Sequence, residues 1–263
     1  MLPRDTLLKG SRCPEDLAAL IDLAEDALRT WEPRWSGFVD AELKEEAEAR
    51  LGALSEVSLL ADGGWPQAER CRLLIRRADL ATDSEAPAPA AAVCGLVVSG
   101  NFLFDPAEPA DVRQGLLQAG LQAADLGDLW MRGDRGAQAV LSQEAAALAD
   151  NQDAQVRSVP VRLQVVPLEQ VQWPAIRAPK QLSSVEASLR LDAVGSAGLG
   201  LSRSRMADLV RQGAVRVNWQ VITSPSKELR CGDRVRLDGR GELEILEIQP
   251  TKRDRWRLVM QRR

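Results

Sequence analysis

The stretch from Leu189 to Leu237, LRLDAVGSAGLGLSRSRMADLVRQGAVRVNWQVITSPSKELRCGDRVRL, constrains this chain more than any other part of it. It reads as two short amphipathic helices followed by small strands, with arginines at the polar positions. Ser202 stands where the second helix needs an N-cap, and Arg203, Ser204 and Arg205 occupy its first turn. Free backbone N–H groups and the positive end of the helix dipole face outward there. Two guanidiniums add charge and bidentate hydrogen bonds, which makes a phosphate site. Met206, Leu209 and Val210 form the core stripe and leave Arg211 on the outer surface, and Gly213 ends the helix. Val215 and Val217 alternate with Arg216 as a strand, Asn218-Trp219-Gln220 form a turn, and Lys227 follows in a Pro/Ser loop. Each cation alone reads as ordinary surface charge; the ordered set, with Arg190 ahead of the first helix, points to a polyanion.

Charge supports the same reading. Residues 180–263 carry 17 Lys+Arg against 10 Asp+Glu, whereas residues 1–179 carry the remaining 17 and 28. An acidic body with a basic tail module is the asymmetry expected when one module meets a nucleic acid. The chain has no histidine, which removes Ser-His-Asp, Cys-His and His-based zinc sites together. It has no tyrosine either, so base stacking falls to Trp or Phe. Cys13, Cys71, Cys94 and Cys231 stand singly, without a C-x-x-C pair. No apolar run approaches the ~18 residues of a membrane span, and the opening lacks the apolar core of a secretory signal. A cytoplasmic protein in a reducing compartment is expected, with no cofactor and no metal.

The chain should be α+β, in three regions. Residues 1–62 read as helical: Pro14 opens a helix with Glu15 and Asp16 in its first turn and Leu17, Leu20, Ile21, Ala24, Leu28 and Trp31 at helical spacing. A second helix is expected over Asp40–Leu54. Trp31, Trp35 and Phe38 between the two serve either as a base-stacking patch or, the weightier reading, as a hydrophobic hinge. Residues 63–168 alternate in type, with buried strands at Arg70–Arg77 and Ala91–Ser99 flanking a Pro/Ala-rich surface loop, DSEAPAPA. A helix follows at Asp111–Ala124, with Val112, Leu116, Leu117 and Leu121 on one face. Then come a hairpin of Gly127–Met131 and Ala137–Leu141, a helix at Gln143–Asn151, and a strand at Val159–Val166. This order suggests a ferredoxin-like α/β domain with an added strand. Arg132 and Arg135, in the glycine-flanked hairpin loop, can reach phosphate. Glu69-Arg70 and Arg72 are weaker candidates beside a Gly63-Gly64 turn. Residues 169–183 read as a linker and 184–263 as a small α+β module with a C-terminal strand extension, Ser183–Glu186 fitting a helix-capping box. Trp219 and Trp256 either stack on bases or pack their own sheet. The run Lys252–Arg257 either extends the basic surface or is a solvated hairpin.

The tail resembles the RNA-binding domain named after ribosomal protein S-four, of alpha-L type. The segments GGWPQAER (63–70), GNFLFDP (100–106), GAQA (136–139) and VRSVPV (156–161) resemble the YlmH family. The start MLPRDTLLKG and the run VEASLRLD (185–192) resemble its cyanobacterial and chloroplast branch of photosystem II S-four domain proteins. Trp130-Met131 and Ser142-Gln143-Glu144 depart from that branch. The resemblance implies an N-terminal helical piece, a middle RNA-binding domain and a C-terminal S-four domain that bind RNA without catalysing a reaction. Structured RNA, ribosomal or transfer, is the implied partner, with the large ribosomal subunit as its setting. The branch label adds photosystem assembly factors as a second class of partner; a protein-interaction scaffold with a basic docking tail is the alternative reading.

Two sharper readings weigh less. Arg190-Leu191-Asp192 resembles the Arg-Leu-Asp motif of pseudouridine synthases, but too little chain follows to build a catalytic domain around it. Gly195, Gly198 and Gly200 reverse the dinucleotide fingerprint without a preceding strand, and read as the turn joining two helices.

Overall fold

The computed structural model describes residues 2–82, 90–175, 178–237, 240–252 and 254–262. The chain forms two compact units, Met1–Pro174 and Ala175–Arg263. The proline-rich loop expected at 83–90 lies, but for Ala90, outside the described residues.

The first unit opens with α1 (Arg4–Leu8) and α2 (Pro14–Thr30). Pro14 stands at the start of α2, and Leu17, Leu20, Ile21 and Ala24 are buried as the periodicity requires; at the end of the stripe Ala27 is buried in place of Leu28, which is half-buried. Trp31 ends the helix in a left-handed conformation and is 58% exposed, with the Arg77 guanidinium 3.6 Å above its ring. It is a cap, not a hinge. The next elements correct the helical reading of residues 1–62: β1 (Arg34–Val39), α3 (Ala41–Arg50), β2 (Val57–Asp62) and β3 (Cys71–Arg77) build an antiparallel sheet in the order β1-β3-β2. Asp40 caps α3 by accepting from Leu43 N–H at 2.9 Å, so the expected start is right and the helix stops short of Leu54. The strand at 71–77 exists as expected, but it is the centre of this first sheet and no part of the ferredoxin-like one. An interior strand apolar on both faces needs a partner on each edge, and RWSGFV and VSLLAD supply them despite weak strand patterns.

After α4 (Ala78–Thr82) come β4 (Val93–Ser99), α5 (Pro109–Gln118), β5 (Leu126–Met131), β6 (Gly136–Ser142), α6 (Ala146–Ala149), β7 (Asp153–Val156) and β8 (Val159–Val166). The sheet order is β5-β6-β4-β8-β7, and every neighbouring pair is antiparallel. A β4-α5-β5 crossover with β6 lying between its strands is the ferredoxin-like arrangement. The added strand is β7, a four-residue hairpin edge that is mostly exposed and therefore carries no hydrophobic run to read. The helices are shorter than expected. Val112, Leu116 and Leu121 are buried, but Leu117 is exposed and Leu121 lies past the end of α5.

Two buried polar devices consolidate this unit. Arg72 is 5% exposed and donates to Ser36 O, Ala92 O and both oxygens of Glu144 at 2.8–3.0 Å. Asp128 accepts from Trp65 Nε1, Glu69 N and Arg70 N at 2.9–3.0 Å, pinning the 63–70 loop. Burial nevertheless pushes its carboxyl above the ordinary range. Arg70 donates to the carbonyls of Leu126, Phe38 and Ala123. Arg70 and Arg72 are thus committed to the fold, which removes them as phosphate contacts.

The second unit consists of β9 (Lys180–Glu186), α7 (Leu191–Leu199), α8 (Arg203–Arg211), β10 (Val215–Val217), β11 (Gln220–Val221), β12 (Arg234–Leu237), β13 (Gly241–Pro250) and β14 (Trp256–Arg262). Its six-stranded sheet runs β11-β10-β12-β13-β14-β9. Ser183–Glu186 is part of a strand paired with β14, not a capping box, and Arg190 occupies the N-cap position of α7. Lys180–Ser183 likewise belongs to this sheet, within the stretch read as linker. Gly195 and Gly198 lie inside α7, and only Gly200 makes the turn, at φ 69°. The buried faces of α7 and α8 cover Val215, Val217, Val235, Leu237, Leu243, Leu258 and Met260. At the far end, Thr251 N donates to Arg255 O at 2.7 Å in the β13–β14 hairpin, and Arg253 is outside the described residues.

Candidate nucleic-acid interface

The site grows from the junction of α7 and α8. Asp192, in the first turn of α7, is 6% exposed, a burial that demands partners for its charge. Arg190 supplies one fork, Nε to Oδ1 and a terminal nitrogen to Oδ2, both at 3.1 Å. Arg203 supplies a second, at 3.2 and 3.3 Å. Burial alone would push the Asp192 carboxyl up; the hydrogen bonds and charges of Arg190 and Arg203 outweigh it and hold the group below the usual carboxylate range. One negative charge therefore fixes two positive ones. Each guanidinium spends two of its N–H groups on the clamp and keeps others outward, the Arg190 and Arg203 side chains being 39% and 54% exposed.

Ser202 Oγ accepts from Arg205 N–H at 3.3 Å and lies 3.3 Å from Ser204 Oγ, so the expected cap forms. Arg205 is exposed, and no carboxylate among the described residues engages its guanidinium. The loop after β11 closes onto the same place. Leu191 N donates to Lys227 O at 2.8 Å, Asp192 N to Pro225 O at 3.1 Å, and Arg190 bridges Glu228. That backbone pairing brings the exposed Lys227 beside Arg190. Arg190 and Arg203 therefore meet on Asp192, Ser202, Ser204 and Arg205 belong to the start of α8 beside them, and Lys227 lies on the segment paired with Arg190.

The other expected residues do not join this cluster. Arg211 is on the outer surface of α8, as anticipated, but pairs with Asp208 at 2.8 Å. Asn218 and Trp219, at φ 48° and 71°, form the two-residue turn between β10 and β11. The Asn218 side chain donates to Asp233 at 2.8 Å and accepts from Arg234 N–H at 2.9 Å, so its amide is spent on the fold. Arg216 lies on the sheet face away from the core, opposite Arg236 on β12. Two cations the sequence reading missed stand on that face: Arg234 and Arg236 approach the Trp219 ring at 5.3 and 5.6 Å. The alternation Arg-Val-Arg-Leu at 234–237 was the available signal. Arg132 and Arg135 belong to the first unit, on the turn between β5 and β6.

Among the described residues no His/Cys/Asp/Glu group could hold a metal ion, and no helix is long and apolar enough to cross a membrane. In comparisons with known proteins, residues 13–80 match the family model "YlmH, N-terminal" and residues 189–235 match "S4 domain". The chain is 31% identical over 148 residues to the Ribosome-associated protein quality control protein P2 of Bacillus subtilis (strain 168), an alignment covering 56% of this chain and 57% of that protein. A solved structure, the cell division protein ylmH from Streptococcus pneumoniae, aligns at TM-score 0.47 and 14% identity, over 65% of this chain and 97% of that one. The basic cluster from Arg190 to Lys227 falls wholly inside the second matched segment, so the chain carries one segment similar to the YlmH N-terminal model and one similar to the S4 domain.

Proposed function

We propose that the second unit grips structured RNA through the surface formed by Arg190, Ser202, Arg203, Ser204, Arg205 and Lys227. In this reading the chain works without catalysis on ribosomal or transfer RNA at the large ribosomal subunit, in the cytoplasm. The observation that carries the reading is the Asp192 clamp. It holds two guanidiniums in fixed orientation beside a capped helix N-terminus, with two further exposed cations alongside. Pre-orienting the forks lowers the entropy lost when phosphate oxygens replace water. The ribosome-associated relative supports the setting. The same clamp argues against uridine modification, because both oxygens of Asp192 already accept from arginines. The link to photosystem assembly rests on the resemblance of residues 1–10 and 185–192 alone.

Replacing Arg205→Glu together with Lys227→Glu, two exposed side chains outside the Asp192 clamp, tests the reading. Affinity for transfer RNA or a ribosomal RNA hairpin should fall at least about tenfold, with the thermal melt unchanged. For the unaltered chain, four phosphate-contacting cations imply a log–log salt slope of about −3 to −4. Unaltered affinity in the double variant sinks the assignment.

A further inference from the structure

A strand at the edge of a sheet leaves a row of N–H and C=O groups that another strand can take up. Sheets usually block this with short or bulged edges, proline, or charge. Among the described residues, six edge strands bound the three sheets. β7 and β11 are only four and two residues long. β1 and β5 are bulged, with register shifts between Trp35 and Phe38 and between Leu126 and Leu129. β2 carries one charge, Asp62, whose carboxylate accepts from Gly64 N and Ala91 N. β9 differs from all of them. It is seven residues long, pairs with β14 residue by residue without a shift, and has no proline and no charge between its ends.

Its two charges are placed symmetrically. In KQLSSVE, Lys180 and Glu186 lie at opposite ends, equally far from Ser183. Neither makes an ion pair among the described residues. Lys180 stands directly opposite Arg262 on β14, so two cations meet at one position of the ladder, an unfavourable pairing. Glu186 stands opposite Trp256, which offers it no charge. Alternate residues Gln181, Ser183 and Val185 are exposed, the last at 51%.

We propose that β9 is a self-recognition edge, and that two copies of the chain join antiparallel through it about a twofold axis at Ser183. In that register Lys180 of each copy lies opposite Glu186 of the other, Gln181 opposite Val185, and Leu182 opposite Ser184, with Ser183 facing Ser183. Each residue then meets one from the same face, and the two six-stranded sheets continue as one. The carboxylate of one copy relieves the cation pair of the other, once at each end of the contact. A slip of one residue would oppose core face to solvent face, and a slip of two would remove both ion pairs, so the register is fixed. The contact is small, which implies a reversible dimer with a Kd of about 10–100 μM.

Sedimentation velocity of the nuclease-treated full chain, over a concentration series spanning that range, tests the proposal. Lys180→Glu and Glu186→Lys should each weaken self-association at least about tenfold, because each sets two like-charged pairs in one dimer. An equimolar mixture of the two variants should associate as the parent does, since every pair across the contact is again of opposite sign. Both charges stand at strand ends, so the melts should match the parent's. Ser183→Cys, with the exposed Cys231 replaced by Ser, reports the register independently. The twofold brings its two sulfurs within disulfide reach, and oxidation should give a covalent dimer. A parent that stays monomeric throughout, or associates only before nuclease treatment, overturns the proposal. So does association indifferent to the charge reversals, or variants with native melts whose mixture stays monomeric.

Discussion

Asp192 sits close behind the basic surface and works through other residues. Its folded-state pKa is depressed, so its pairing stabilises the second unit above the unfolded carboxylate value of about 3.9. That stabilisation is lost as the pH falls through the still lower folded value. Asp192→Asn should cost about 1–2 kcal/mol at neutral pH, read as a lower urea midpoint. The gap between variant and parent should close in acid, below the pH at which Asp192 of the parent is protonated. A gap that persists there would mean that the loss is steric and owes nothing to charge. The Arg190-Leu191-Asp192 run was visible in the sequence as a motif. Which cations Asp192 holds was not visible, because Arg203 reaches it from the following helix. Asn218 went the other way, an apparent contact residue whose amide the turn consumes.

The α7 glycines show how packing overrides a local reading. Gly195 and Gly198 look like turn residues, yet they lie within the helix because α7 must approach its neighbours closely. A Cβ at Gly198 would come within 2.1 Å of Leu243 Cδ2, and one at Gly195 within 2.4 Å of Met206 Cε. Met206 has a flexible thioether end that can move aside, whereas Leu243 is locked in the middle of the sheet. Gly198→Ala should therefore destabilise by about 1–3 kcal/mol and Gly195→Ala by clearly less, measured as paired urea midpoints. Equal losses would mean that helix propensity, not contact, decides these sites. The missed strands share one physical cause. The segments at 34–39, 153–156 and 180–186 are edge strands or half-polar strands, defined by the neighbour they pair with.

Across the whole chain, the acidic residues gather before residue 180 and the basic excess after it. A protein held on the ribosome through that basic excess should co-sediment with ribosomal subunits from native lysate, and RNase should release it. Migration with membranes or free protein, indifferent to RNase, would favour the scaffold reading. The sequence alone determined the α2 stripe, the Ser202 cap, the β10 turn and the concentration of arginines around α8, because each depends on residues within one or two helical turns of one another. It also determined the order of β4, α5, β5, β6 and β8, since those strands carry apolar runs, but not β7, which carries none. Only the tertiary structure decided that 71–77 is the centre of a separate sheet, and that Arg190 and Arg203 share one buried carboxylate. It alone decided that no carboxylate among the described residues engages Arg132 or Arg135, while nearly every other arginine of the first unit is bound. Those outcomes depend on which distant groups meet, and the free energy of a buried charge or a paired strand edge belongs to the contact, not to either segment by itself.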